Sequence, residues 1–247
     1  MSLAVLAIAT VFIFLAAIVR GYSGFGFSLL AITSLSLVLK PAEIVPSIFM
    51  LEIAASLHLL PGIWREVHWR SLIPLILGCV IATPFGVMLL ASVHPAPMQL
   101  ALSIFVLIAT YLLWRGFALR RIPGTAGAFV AGAAAGFGNG AFGIAGPPVI
   151  LFYFSSPAGH AMGRASLIAF FLATDLIGLP LLAREGLVTA DAFYRAMVFL
   201  LPLIVGVWLG ARSFKTADPA RFRQMILLLL AVLATLIGGR AIWALLQ

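Results

Sequence analysis

The chain has 247 residues, of which 64% are hydrophobic and 9% are charged, and its mean hydropathy is +1.20. A soluble domain of this length cannot bury so much apolar surface, so the composition excludes a soluble enzyme or binding module and indicates a multi-pass membrane protein. The net charge of +8 does not indicate nucleic-acid binding, because the basic residues cluster in short loops between apolar segments. The single cysteine, Cys79, excludes an internal disulfide and a thiol metal site.

Ten apolar segments are predicted in chain order. They span residues 3–19, 24–39, 42–61, 71–92, 97–114, 124–138, 144–155, 163–183, 193–210 and 222–246. A membrane span needs about 20 apolar residues, so the first pair and the sixth and seventh segments are short. Each of these two pairs is either two thin spans or a re-entrant hairpin. Both alternatives cross the membrane an even number of times and leave the topology of the other segments unchanged.

The basic residues predict the orientation of the chain. The loops after the odd-numbered segments hold Arg20, Arg65, Arg70, Arg115, Arg120, Arg121, Arg164, Arg212, Lys215, Arg221 and Arg223. The opposite side holds Lys40, Arg184, Arg195 and Arg240. The positive-inside rule therefore places the first group in the cytoplasm and both termini outside a bacterial inner membrane. Arg20 and Arg164 adjoin expected helix breaks, and leaving them out does not change the orientation.

A glycine-rich stretch from Ala131 to Phe154 predicts an interrupted helix. Glycines crowd around Asn139, and Gly146 is followed by two prolines that lead into an apolar run. Glycine tolerates the backbone angles that end a helix and proline suits the start of one, so the helix is expected to stop near Asn139 and to resume near Gly146. A break inside lipid is tolerated only where protein or a water-filled cavity satisfies the freed backbone groups, which makes it a candidate binding site. A glycine-rich packing face is the alternative.

The two halves of the chain repeat. IPLILG (Ile73–Gly78) matches LPLIVG (Leu201–Gly206), and RGYSGFGFSLL from Arg20 resembles NGAFGIAGPPV from Asn139. Further pairs are Glu52 with Asp175, and Pro95 and Pro97 with Pro219. Since each half has an odd number of segments, the second copy is expected to be inverted, which is typical of secondary transporters. The predicted fold is thus an all-α polytopic membrane protein, with one transmembrane domain (1–247) made of inverted repeats 1–118 and 119–247 and interrupted or re-entrant helices at its centre.

The two glycine-rich turns resemble a known family. SGFGF (Ser23–Phe27) and GAFGIAGPP (Gly140–Pro148) look like the paired signatures of the TauE/SafE sulfite exporter family, also called TSUP permeases. VHWRSLIPLILGCVIATPFG (Val67–Gly86) resembles the segment that follows the first signature in that family. The resemblance implies a transporter of small sulfur-containing anions, either sulfite or organosulfonates such as sulfoacetate. Phe27, Ser28 and Ala145 stand where many members have more glycine.

The candidate substrate-binding residues surround the two breaks. An anion needs N–H donors and positive potential, and the N-terminus of a half-helix supplies both. Ser23 and Asn139 add side-chain donors. Phe25 and Phe142 either wall an alkyl part of the substrate or face lipid and pack within the protein. Arg20 either grips the anion through its guanidinium or anchors a thin helix at the cytoplasmic interface. The full set is Arg20, Ser23, Gly24, Phe25, Gly26, Asn139, Gly140, Phe142, Gly143 and Gly146.

Glu52 and Asp175 are the acidic residues that fall well inside predicted spans. A carboxylate there costs about 2.5–3.5 kcal/mol on insertion scales, so it indicates a function in coupling or gating. The two residues would bind a coupling proton or pair with Arg20 or Arg164 when the site is empty. The structural alternative is a protonated acid that is hydrogen-bonded to a neighbouring helix.

These patterns favour a secondary transporter that works by alternating access, with an anion channel as the alternative. Gly21-Tyr22-Ser23-Gly24 also resembles the nucleophile motif of rhomboid-type intramembrane proteases, with His58 as the candidate base inside a span. That alternative does not account for the repeat. No enzyme activity, cofactor or metal site is predicted. The expected partners are the lipid bilayer and a small anion, with a proton and a second copy of the chain as further options, and no nucleic acid.

Overall fold

The computed structural model describes residues 3–115, 124–154, 160–213 and 219–246, and these form ten α-helices and no strands. The helices are α1 (Leu3–Ser23), α2 (Phe27–Leu35), α3 (Pro41–Leu59), α4 (Trp69–Ser92), α5 (Pro95–Trp114), α6 (Thr125–Phe142), α7 (Gly146–Phe154), α8 (His160–Arg184), α9 (Ala190–Ser213) and α10 (Pro219–Leu245). Two 3₁₀ turns, Leu60–Gly62 and Trp64–Glu66, connect α3 to α4. The predicted repeat boundary at 118 and the loop residues Arg120, Arg121 and Lys215 lie outside the described ranges.

One helix corresponds to each of the ten predicted segments, and the helical membrane fold is confirmed. Within the described ranges, seven helices are long and apolar enough to cross a membrane, namely α1, α3, α4, α5, α8, α9 and α10. The short helices α2 and α7 have nine residues each, so each is about 13 Å long and covers less than half of a ~30 Å hydrocarbon core. The protein is therefore a multi-pass membrane protein with two half-length helices.

The predicted ends of the first members of the two short pairs are wrong. Helix α1 continues to Ser23, four residues past the predicted end, and α6 continues to Phe142, also four residues past it. Glycines near these helix ends lie at helix crossings. A Cβ atom at Gly21 would lie 2.1 Å from Val207 O, and one at Gly140 would lie 2.4 Å from Thr83 O. Close packing of the backbones thus overrides the low helix propensity of glycine.

Small residues hold the long helices together. Helix α4 packs along α6, and a Cβ atom at Gly132 would lie 2.0 Å from Leu75 O. Helix α1 packs along α9 in the same manner, with Gly210 against Ile18 O. Without a hydrophobic force between helices in lipid, such direct backbone contact is a main source of association.

The centre of the bundle is formed by α3 and α8. These two helices pack against each other, α3 also packs against α9, and α8 also packs against α4. Their spans are 61% buried within the protein, compared with 39–44% for the other five long helices. Large apolar side chains on the outer helices are more than half exposed, for example Ile73, Phe85, Ile108, Leu201 and Leu228. The outer helices therefore present an apolar surface to lipid, and polar side chains of α3 and α8 are directed at the protein interior.

Candidate substrate site at the helix breaks

Two short non-helical turns separate the half-helices from the long helices before them. The first turn, 24–26, lies between α1 and α2, and the second, 143–145, lies between α6 and α7. Gly24, Gly26 and Gly143 have φ angles of 79°, 88° and 69°, which favour glycine over other residues. Both turns are three residues long, and α7 begins 119 residues after α2. The predicted interruptions therefore exist in both halves.

Several predicted site residues have other partners in the structure. Asn139 and Gly140 lie within α6, because the helix ends at Phe142 and not near Asn139 as predicted. The Phe142 ring packs against Phe105 of α5, with ring centroids 5.1 Å apart. The Ser23 hydroxyl hydrogen-bonds the backbone of its own turn, with Val19 O at 2.7 Å and Phe25 O at 2.8 Å.

Arg20 is the buried cation of the site. It lies in the last turn of α1 and is 0% exposed, so it is neither a loop charge nor an interfacial anchor. Its Nη2 atom is 3.0 Å from Glu52 Oε2 and donates a hydrogen bond to Ser56 Oγ at 2.8 Å. Its Cζ atom lies 4.8 Å from the ring centroid of Phe171. Its Nε and Nη1 atoms have no hydrogen-bond partner among the described residues. A buried guanidinium with two unpaired nitrogens can bind the oxygens of an anion.

The Glu52 carboxylate connects Arg20 with the start of α2. Its Oε1 atom accepts a hydrogen bond from the backbone N–H of Ser28, the second residue of α2, at 3.2 Å. Glu52 is 2% exposed and lies eleven residues after Pro41, about 17 Å along α3 at the usual rise of a helix. The carboxylate is thus near the middle of a spanning helix, which corresponds to the middle of the membrane.

In the second half, Asn139 corresponds to Arg20, and Asp175 corresponds to Ser56 and not to Glu52 as the sequence comparison predicted. Asn139 Nδ2 donates a hydrogen bond to Asp175 Oδ1 at 3.2 Å, and both side chains are buried. Asn139 follows Arg20 by 119 residues, and Asp175 follows Ser56 by the same number. The bond from Asn139 to Asp175 therefore matches the bond from Arg20 to Ser56. Glu52 and Arg20 also interact electrostatically with Asp175, which joins both pairs in one buried cluster.

Phe171, Ser56 and Ser28 are site residues that sequence reasoning missed. Phe171 lies one helical turn before Asp175, and Ser56 lies one turn after Glu52, so i,i+4 spacing from the two acids was the available signal. A Cβ atom at Gly146 would lie 3.8 Å from Phe171 Cζ, so this ring touches both Arg20 and the start of α7. Phe171 therefore connects the first break to the second.

The two half-helices do not offer equal anion sites. Gly146 opens α7 as predicted, but Pro147 and Pro148 follow it and carry no backbone N–H. The first residues of α2, Phe27 to Leu29, all carry an N–H group, and the first intrahelical bond is that of Leu30 N–H to Gly26 O. The donors for an anion are therefore concentrated at α2, next to Arg20. Because Pro147 and Pro148 are visible in the sequence, this difference between the two half-helices could have been predicted from it.

A second arginine covers the first break. Arg164 Nη2 donates a hydrogen bond to Gly21 O at 3.1 Å, and its Cγ atom lies 2.5 Å from where a Cβ atom at Gly24 would be.

A cavity of about 840 Å³ is bounded by the end of α3 and the 3₁₀ turns, and Leu57, Trp64 and Glu66 are among the residues that line it. Among the described residues, no cluster of three His, Cys, Asp or Glu side chains could hold a metal ion.

The fold and the site define a helical, multi-pass membrane protein with a buried arginine beside paired helix breaks. Residues 9–237 match the family described as Sulfite exporter TauE/SafE, and the chain belongs to that family. The chain is 27% identical over 190 residues to a Cupriavidus necator protein described as "Probable sulfite/organosulfonate exporter TauE", with 74% of this chain and 72% of that protein covered. No solved structure matches the chain. The family assignment confirms the resemblance of the glycine-rich turns and supports a role in membrane transport.

Proposed function

We propose that this protein is a secondary transporter that moves small sulfur-containing anions, either sulfite or an organosulfonate such as sulfoacetate, across the bacterial inner membrane. The observation that carries the proposal is Arg20, whose fully buried guanidinium has two unpaired nitrogens next to the start of α2. A buried cation in a spanning helix is costly and indicates function. The family and the name of the Cupriavidus necator relative support the sulfur-anion class.

The chemistry of the site suits an anion with several oxygens. Charge-assisted hydrogen bonds from a guanidinium and from the N-terminus of a helix are the strong contacts for such groups. Arg20 provides the guanidinium and α2 provides the backbone donors. The Phe171 ring lies against the guanidinium and limits its orientation. Phe25, Gly26 and Gly143 are proposed to line the path between the breaks.

Alternating access is proposed to arise from two inverted halves, residues 1–118 and 119–247. Helices α7 and α8 begin 119 residues after α2 and α3, which supports the repeat. The packing of the helices supports the repeat as well. The contact of α1 with α9 corresponds to the contact of α6 with α4, and the contact of α3 with α9 corresponds to the contact of α8 with α4. Transporters of this kind expose a central site by moving one bundle against the other.

The proposed direction is export, which needs no coupling ion. An inside-negative potential favours the exit of an anion by about 2.3 kcal/mol per charge per 100 mV. Uptake would require protons, and Glu52 and Asp175 are the proposed carriers because both are buried at the site. Arg65, in the connection between α3 and α4, and Arg70, in the first turn of α4, are both exposed. Their positions support a cytoplasmic location for this end and for the cavity beside it, and an outside location for both termini.

A thermal-shift panel on purified protein tests the substrate class and the site. Sulfite and sulfoacetate are expected to raise the melting temperature, because a ligand at 100 times its Kd stabilises the folded state by about 2.7 kcal/mol. Arg20→Gln is expected to abolish the shift, and Arg70→Gln, at an exposed arginine, is expected to keep it. Protection by simple carboxylates without protection by sulfur anions would refute the substrate class. An unchanged shift in Arg20→Gln would refute the site.

Flux measurements in proteoliposomes test the transport mechanism. A carrier is expected to show saturation at millimolar substrate and counterflow of labelled sulfite. Flux that rises linearly with substrate and shows no counterflow would instead support the anion channel.

A further inference from the structure

We propose that Glu52 is a tethered occupant of the substrate's anion site, and that a substrate anion binds by displacing the Glu52 carboxylate from Arg20 and from the start of α2. The proposal rests on the function proposed above and names the event that opens the site. It makes Glu52 an internal competitor of the substrate.

The contacts of Glu52 are those of a bound anion. One carboxylate oxygen lies 3.0 Å from Arg20 Nη2, and the other accepts the Ser28 N–H at 3.2 Å. A guanidinium and the N-terminus of a helix are the two groups by which proteins recognise carboxylates, sulfonates and related anions. A substrate oxygen at either position would make the same contact. Because one buried carboxylate takes both contacts, the substrate and Glu52 cannot hold them together.

The site has donor capacity that Glu52 does not use. Arg20 Nε and Nη1 have no hydrogen-bond partner among the described residues, although the side chain is 0% exposed. Glu52 Oε1 accepts the Ser28 N–H, and Glu52 Oε2 is ion-paired with Nη2 at 3.0 Å but forms no hydrogen bond among the described residues. Sulfite and sulfonate groups have three oxygens in a pyramidal arrangement, so they can reach one more donor than a planar carboxylate can. The site therefore favours a three-oxygen anion over the carboxylate that fills it.

Among the described residues of the second half, no acid occupies the position that corresponds to Glu52. The residue 119 positions after Glu52 is Phe171, whose ring lies against Arg20. The remaining buried acid of the cluster, Asp175, accepts a hydrogen bond from Asn139. Glu52 is thus the described carboxylate that is ion-paired with Arg20, and an incoming anion would take its place as the counter-ion.

Small carboxylates provide a direct test with the Glu52→Ala variant. Acetate and formate should fill the space that the side chain leaves, and they should raise the melting temperature of Glu52→Ala but not that of the parent protein or of Glu52→Gln. Glu43→Ala is the matched control, because Glu43 is a half-exposed acid that lies 3.7 Å from Arg195 and outside the site. Acetate should not stabilise this control.

Sulfite affinity provides the second test. If Glu52 occupies the site in about nine of ten molecules, neutralising it with Glu52→Gln should lower the apparent Kd about tenfold. The double variant Arg20→Gln/Glu52→Gln should bind neither sulfite nor acetate. Glu52→Gln keeps the shape of the side chain and carries the test if Glu52→Ala does not fold.

The outcomes separate this proposal from the proposed function. Equal sulfite affinity in the parent and in Glu52→Gln, or no specific effect of acetate on Glu52→Ala, would overturn the role of Glu52. Protection of Glu52→Ala by acetate, without any sulfite binding to the parent or to Glu52→Gln, would support the occupant and refute the sulfur-anion function. Sulfite binding to the parent, without an effect of acetate on Glu52→Ala, would support the sulfur-anion function and refute the role of Glu52.

Discussion

The buried ion pair between Arg20 and Glu52 predicts that the double substitution costs less than the two single substitutions together. Arg20→Gln leaves a buried carboxylate without its cation, and Glu52→Gln leaves a buried guanidinium without its anion. Both side chains are 3% exposed or less. Removing one partner of such a pair costs about 3–5 kcal/mol, whereas replacing both partners by well-packed apolar residues of similar volume is often close to neutral. Loss of both charges should therefore cost less than the sum of the two single losses.

The expected changes in melting temperature follow from this energy. For a chain of this size, 1 kcal/mol corresponds to about 2–4 °C, so each single variant should melt about 6–20 °C below the parent. The double variant Arg20→Gln/Glu52→Gln has neither buried charge and should melt closer to the parent than the sum of the two single losses predicts. Thermal unfolding of the four purified proteins in one detergent, without added anions, measures this double-mutant cycle.

An exposed pair serves as the control for the cycle. Lys40 and Glu43 lie 4.0 Å apart and their side chains are 63% and 42% exposed, so their coupling energy should be about 0–1 kcal/mol. If the double variant of Arg20 and Glu52 loses the sum of the two single losses, the residues are not coupled. The ion pair and the arguments that depend on it would then be wrong.

Three further predictions concern neighbouring contacts. Gly132→Ala forces a methyl group against Leu75 O and should destabilise the protein by about 1–3 kcal/mol in thermal unfolding, while Gly239→Ala, where nothing lies within 4 Å, should not. Phe171→Leu removes the ring beside Arg20 and should cost about 1–2 kcal/mol, and an unchanged melting temperature would refute the cation–π contact. Asp175→Asn keeps an acceptor for Asn139, so the fold should persist while any pH dependence of flux is lost. A parent flux that is independent of pH would exclude proton coupling.

Much of the architecture could be predicted because membrane helices have strong local signals. Apolar length and flanking arginines located ten segments, and glycine followed by Pro147 and Pro148 marked the start of α7 within one residue. The ends of α1 and α6 were missed, since glycine is a weak helix former in isolation. At Gly21 and Gly140 it is helical because another helix lies against it. Local propensity contains no information about such a neighbour.

The site was predicted in part for the same kind of reason. Arg20, Glu52, Asn139 and Asp175 stood out because polar groups are rare in apolar segments. Their partners did not stand out, because serine and phenylalanine are ordinary residues in a membrane helix. Ser28 became important through its backbone N–H, a group that every residue except proline has.

The sequence by itself determined the class of the protein, the number of helices, the existence of the two breaks and the family, since each depends on composition, spacing or local backbone preference. Tertiary structure alone decided which groups meet at the centre. It joined Arg20 to Glu52 across 32 residues of chain, and it placed Phe171 of the other half against the same guanidinium. It also brought the Glu52 carboxylate to the start of α2, where backbone donors and a buried positive charge attract an anion. The physical reason is that electrostatic and hydrogen-bond partners are selected by distance in space, which the linear order of residues does not specify.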